Sequence, residues 1–91
     1  MKKKRERLDV IHDILSTIAT HRNSLKPTPL LRFANLSTQN FSEYMAELEQ
    51  KGLVKLLCDE KGRNFYTLTD KGFLFLNKFD LIKGFLEEFD L

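Results

Sequence analysis

Cysteine occurs once in the chain, as Cys58. No disulfide framework and no multi-cysteine zinc site can form within the chain, and a reducing, intracellular compartment is the expectation. Cys58 closes an apolar strand-like run, so it is expected as a small buried residue and not as a reactive thiol. Histidine is scarce too. His12 and His21 do not form the i, i+4 pair with a glutamate that ligates zinc, and both are expected at the surface. No glycine-rich phosphate loop follows a strand, and nothing marks a nucleophile among the serines. The expectation is a non-enzyme with no cofactor, no metal and no small-molecule substrate. No apolar run approaches a membrane span, and the basic start is not followed by a signal-peptide core. That points to a soluble, cytoplasmic protein with no membrane partner.

Net charge is also nearly lacking, at +2, but its distribution is uneven. Residues 2–7, KKKRER, hold five basic residues and one acid. Residues 8–69 hold seven of each sign, and residues 70–91 hold three basic and five acidic residues. The positive charge is concentrated in an amino-terminal arm. Ninety-one residues make one modest core, which oligomerisation would help to stabilise.

What is present reads as helices around one hairpin. Leu8, Ile11, Ile14, Leu15, Ile18 and Ala19 lie on one helical face. Asn23, Ser24 and Pro27 break it. Thr28 and Pro29 suit an N-cap and first helical position, predicting a short helix over 29–35 that buries Leu30, Phe33 and Ala34. Ser37 caps a third helix running to about Lys51, with Gly52 suited to a left-handed stop. LVKLLC and FYTLT read as two strands around the charged loop DEKGRN. Thr69 caps a last helix running to the end of the chain. A tight NLS corner between helices two and three, then a hairpin, is the order of a winged helix-turn-helix. The expected fold is mainly α with one β-hairpin, followed by a long C-terminal coiled-coil helix.

The third helix has two sides. At about 100° per residue, Phe41, Tyr44, Met45 and Leu48 share the core face. Thr38, Gln39, Asn40, Ser42 and Glu43 lie in the first turns, which contact bases in helix-turn-helix proteins. Gln and Asn pair bidentately with adenine, Glu accepts from cytosine, and Thr touches a thymine methyl. Glu47 and Glu49 lie further along, where contact fades. Phosphate contacts are expected from Lys26 and Arg32 of the second helix, Ser37 at the helix start, Lys55, Lys61 and Arg63 of the wing, and an arm including Lys3, Lys4, Arg5 and Arg7.

The last helix repeats apolar residues at Phe75, Phe79, Ile82, Leu86 and Phe89, the spacing of a coiled-coil seam. Phe73, Leu74 and Leu76 are expected to pack back on the domain. So many phenylalanines are too apolar to leave exposed on a monomer, so a homodimer through this helix is expected. Residues 1–69 then form a winged-helix domain and residues 70–91 a dimerisation helix. Gly84 falls outside the seam.

RLDVIHDIL, ANLS…F..YM..L..KGLV and FYTLTDKGFLFL together resemble the small archaeal winged-helix DNA-binding proteins of the Sulfolobus ten-a type. The resemblance covers nearly the whole chain. It implies an antiparallel coiled-coil dimer carrying two winged-helix domains that bind double-stranded DNA, with the recognition helix at 38–51 and the wing at 59–64. It also implies a nucleoid-associated location. The low charge and acidic third helix depart from a general DNA coater and favour a sequence-preferring transcriptional regulator. The alternative is a winged helix that docks proteins and has no DNA role.

Overall fold

The structure, a computed structural model, describes residues 6–91. Helix α1 spans Arg7–Thr20 and turns Val10, Ile11, Ile14, Leu15 and Ile18 into the core. Leu8, expected on that face, is exposed. It sits in the first turn of α1, where it lines surface recesses with Phe75 and with Ile82 and Leu86 of the last helix, and Val10 is buried in addition to the expected positions. The chain then reverses through Arg22 and Asn23, both left-handed. Asn23 fixes this turn to the hairpin: its Oδ1 accepts from the Leu68 N–H at 2.7 Å.

Helix α2 spans Pro27–Ala34, two residues earlier than expected, and Lys26, not Thr28, is its N-cap. Pro27, expected to keep the first helix from continuing, lies beyond the end of α1 and also starts α2, because first-turn N–H groups have no intrahelical partner and proline forfeits nothing there. Leu30 and Ala34 are buried as expected. Phe33 is not: it lies on the outer face, its ring 5.0 Å from the His21 ring.

Asn35 makes the tight corner in the left-handed region, φ 57°. Helix α3 spans Thr38–Gln50, and Ser37 caps it by accepting from the Asn40 N–H at 3.1 Å. It ends in a Schellman motif. Leu53 N–H reaches the Leu48 carbonyl at 2.9 Å and Gly52 N–H the Glu49 carbonyl at 3.0 Å, which requires a left-handed residue, here Gly52 at φ 76°. Leu48 and Leu53 are both buried beside this stop.

Strands β1, Val54–Cys58, and β2, Asn64–Leu68, pair antiparallel with Val54 opposite Leu68 and Cys58 opposite Asn64. Tyr66 also bridges Leu25, with N–H to carbonyl bonds of 2.8 and 3.1 Å in the two directions, so the α1–α2 turn adds a third edge to the hairpin. Val54 is the only buried residue of β1. The strand therefore runs off the core, and Cys58 at its end is exposed rather than buried.

Helix α4 spans Asp70–Glu88, and Thr69 caps it by accepting from the Gly72 N–H at 3.1 Å. Its root is tied to the end of α3: Thr69 Oγ1 donates to the Gly52 carbonyl at 2.6 Å and Lys71 Nζ to the Lys51 carbonyl at 2.8 Å. Phe75 and Leu76 pack on the core. Phe73 and Leu74, expected to do the same, remain exposed. From Asp80 onward every residue is exposed, so the far half of α4 lies outside the core, and the longest extent of the structure is 49 Å. No helix among the described residues is long and apolar enough to cross a membrane.

Candidate nucleic-acid interface

The first turns of α3 present a continuous polar face. Thr38, Gln39, Asn40, Ser42 and Glu43 are all exposed, while Phe41, Met45 and Leu48 lie buried behind them and Tyr44 half-buried. The cap and corner that aim this face are local: Asn35 turns the chain and Ser37 Oγ satisfies the Asn40 N–H. Ser37 thus accepts a backbone hydrogen bond, and only its hydroxyl proton remains for a phosphate. Gln39 Nε2 donates weakly to Glu43 Oε2, one turn on, at 3.4 Å.

Glu47 is not a loose acid on the back of α3. The Arg7 guanidinium donates to its Oε2, and Lys51 Nζ lies 3.3 Å from the same oxygen. The Arg7 hydrogen bond holds the Glu47 carboxyl below the usual carboxylate range, and the same bond pushes Arg7 up. Arg7, expected in the arm, is instead the first residue of α1, and its guanidinium carbon stands 6.0 Å from the centre of the Tyr44 ring. Lys3, Lys4 and Arg5 lie outside the described residues.

The wing tip is pre-folded by Asp59. Its Oδ1 accepts from the Lys61 and Arg63 N–H groups, each at 2.9 Å, and its Oδ2 from Arg63 Nε at 3.1 Å. The Arg63 backbone bond is the chief cause that lowers the Asp59 carboxyl. Gly62 takes φ 80° at the tip, where an L side chain would be strained. Lys61 and Arg63 project from this tip, both exposed. Lys55, exposed on β1, lines one surface recess with Thr67, Thr69 and Lys71. Lys71 had no sequence signal beyond its charge.

Lys26 and Arg32 are exposed at the start and in the last turn of α2. Both belong to a tract that overall charge balance concealed. Between Asp13 and Glu43 the sequence contains no acid, but does contain Arg22, Lys26 and Arg32. That tract covers the end of α1, all of α2, the corner and the first turn of α3.

On α4, Phe75 and Phe79 are half-buried against their own domain. Phe79 stacks on His12 at 4.4 Å, and His12 Nε2 donates to Asp80 Oδ1 at 3.0 Å. His12, expected at the surface, is thus half-covered by α4. Ile82, Leu86 and Phe89 are exposed, as are Leu81 and Phe85 beside them. Among the described residues no cluster of three or more His, Cys, Asp and Glu could hold a metal ion.

The sequence matches the family model described as winged helix-turn-helix over residues 4–87. No curated protein matches it. Among solved structures the chain is similar to Sso10a-2, a DNA-binding protein from Sulfolobus solfataricus. The TM-score is 0.76 at 19% identity, over 93% of this chain and 85% of that one. At that identity the likeness concerns the fold, and it extends through most of both chains. The resemblance to small archaeal winged-helix proteins that the sequence motifs carry is supported by both matches. With its helix-turn-helix corner, hairpin wing and family match over residues 4–87, the chain belongs to the winged helix-turn-helix family.

Proposed function

We propose that this protein binds double-stranded DNA as a homodimer and acts as a sequence-preferring transcriptional regulator. One observation carries the reading: the first turns of α3 are capped, exposed and polar, and Glu47, one turn beyond Glu43, is already paired to Arg7 and Lys51. Thr38, Gln39, Asn40, Ser42 and Glu43 would meet base edges in the major groove. Lys26, Arg32, Lys55, Lys61, Arg63 and the arm residues Lys3, Lys4 and Arg5 would meet phosphates, with the Ser37 hydroxyl beside them. That Sso10a-2 is a DNA-binding protein of similar fold supports the partner.

Residues 1–69 would serve as the DNA-binding unit and residues 70–91 as the dimerisation helix. Phe75, Phe79, Ile82, Leu86 and Phe89 form the seam, and the exposed apolar half of α4 is the surface that needs a cover. Charge favours an antiparallel arrangement. Residues 70–79 hold two lysines and one acid, whereas 80–91 hold four acids and one lysine. Parallel pairing would set acidic ends together; antiparallel pairing sets each against the partner's lysines.

The test is a fluorescence anisotropy titration with duplex DNA at low salt, followed by selection of bound sequences from a random pool. Salt-sensitive binding is expected, with Gln39→Ala or Asn40→Ala changing the selected sequence. Absence of duplex binding at micromolar protein would remove the proposal. A protein-docking role is the second reading, and exposed Leu56 and Leu57 on β1 favour it. It gains if the duplex titration is blank.

A further inference from the structure

Arg7 and Glu47 are separated by 40 positions in sequence yet joined across α1 and α3. Arg7 also lines one recess with Asn40, Glu43, Tyr44 and Glu47. On α3 these four form a stripe along one flank of the base-facing side, and Asn40 and Glu43 themselves belong to that side. A helix about 10–12 Å across nearly fills a major groove about 12 Å wide, so phosphates run along each flank of an inserted helix. A guanidinium seated on that flank stands where a phosphate passes. Its remaining N–H donors, beyond the one given to Glu47, suit a bidentate phosphate bond.

The geometry points to Arg7 as a phosphate contact of the DNA complex, and to Glu47 as the positioning residue that holds it there with the Tyr44 ring. This deepens the DNA-binding reading and rests on it. Its content is a sign. Removing an acid near DNA should tighten binding by electrostatics alone. If Glu47 positions Arg7, removing it weakens binding instead. The competing role, a clamp that only ties α1 to α3, would change melting temperature and leave the salt dependence of binding untouched.

The experiment is a double-mutant cycle on the full chain with Arg7→Ala, Glu47→Ala and the pair. Anisotropy titrations use a random-sequence duplex over a series of salt concentrations. Parent binding tests the DNA reading by itself: a blank parent removes that reading and this inference with it, whereas a binding parent whose variants behave alike removes this inference alone. Arg7→Ala is expected to weaken binding several-fold and lower the log–log salt slope by about 0.9 for each copy bound. Glu47→Ala is expected to shift both in the same direction, and the pair to be no worse than Arg7→Ala alone. Glu47→Ala binding as tightly as the parent or tighter, or an Arg7→Ala slope equal to the parent's, overturns the inference. Far-UV circular dichroism confirms folding; should an alanine variant fail to fold, Arg7→Gln and Glu47→Gln are read by the same criteria.

Discussion

Two glycines of α4 should respond to the same substitution with opposite signs. Gly72 is buried in the first turn, and a Cβ there would sit 2.3 Å from the Leu53 carbonyl oxygen and 3.1 Å from Leu68 Cγ. That carbonyl cannot retreat freely. It accepts from Thr69 N–H at 3.1 Å and Thr69 Oγ1 at 3.2 Å, the bonds that seat α4 on the end of α3. Forcing extra volume into such a site costs about 1–3 kcal/mol. Weakening those hydrogen bonds adds about 0.5–1.5 kcal/mol, while alanine's better helix propensity returns about 1 kcal/mol. Gly72→Ala should therefore destabilise by about 2 kcal/mol, lowering the melting temperature by about 8–16 °C at fixed protein concentration. Gly84 has nothing within 4 Å of its would-be Cβ. There only propensity acts, and Gly84→Ala should stabilise by about 0.5–1 kcal/mol. Thermal and urea unfolding followed by far-UV circular dichroism reads both. A Gly72→Ala protein that melts at or above the parent temperature refutes the close-approach account of the α3–α4 joint.

Ile82→Glu or Phe79→Glu should sediment as a monomer, and an unchanged mass would remove the α4 seam from the proposal. Phe79→Glu should also lower stability, because Phe79 covers His12 in its own chain. Ser37→Ala should cost about 1 kcal/mol by freeing the Asn40 N–H that it caps, read by urea unfolding. The Asp59 carboxyl is held low by bonds to Arg63 and Lys61, so its contribution is present above the ordinary carboxylate range, about pH 4, and lost as pH falls through its depressed value. The melting-temperature gap between the parent and Asp59→Asn should accordingly close on acidification, and a gap that widens would contradict the assigned bonds. Glu43→Gln should raise affinity for random duplex while flattening the selected sequence, since it removes the one acid of the base-facing turns and an acceptor suited to cytosine.

Local signals in the sequence located much of the fold. Ser37, Gly52 and Thr69 act within three residues of their own positions, and each caps or stops the helix that its type suggests. The misses lie where tertiary reach decides. Pro27 is legible as a bar to continuing α1 but not as the start of α2, whose first turn accommodates it. Phe33 and Cys58 look like core residues, but α2 turns one outward and β1 carries the other beyond the packed body. The Arg7–Glu47 pair has no periodic spacing to betray it, because it joins two helices whose packing sets the contact. The exposed polar face at the start of α3 is legible because one helix and one cap fix it. The cationic surroundings were only partly legible, because charge counted over 8–69 averages an acid-free tract with the acids on either side.

On the proposed dimeric reading, the low charge gives a reason for two copies. Each copy's described residues offer a few exposed cations around α3, and some of their charge is already engaged: Arg63 with Asp59, Arg7 and Lys51 with Glu47. Non-specific affinity grows with the number of phosphates neutralised, so a single domain of this kind gains little from backbone contacts alone. Joining two domains makes the second binding event intramolecular, and its effective concentration multiplies an affinity that neither domain has alone. The gain is realised only if the spacing of the two recognition helices matches the duplex repeat. A rigid connection therefore matters more here than in a strongly basic protein. The Thr69 cap, the Lys71 bond to the Lys51 carbonyl and the tight seat of Gly72 against Leu53 supply that rigidity where α4 leaves the body. On the proposed reading, loosening this joint should weaken cooperative binding of the dimer more than it disturbs the base-facing turns of either domain.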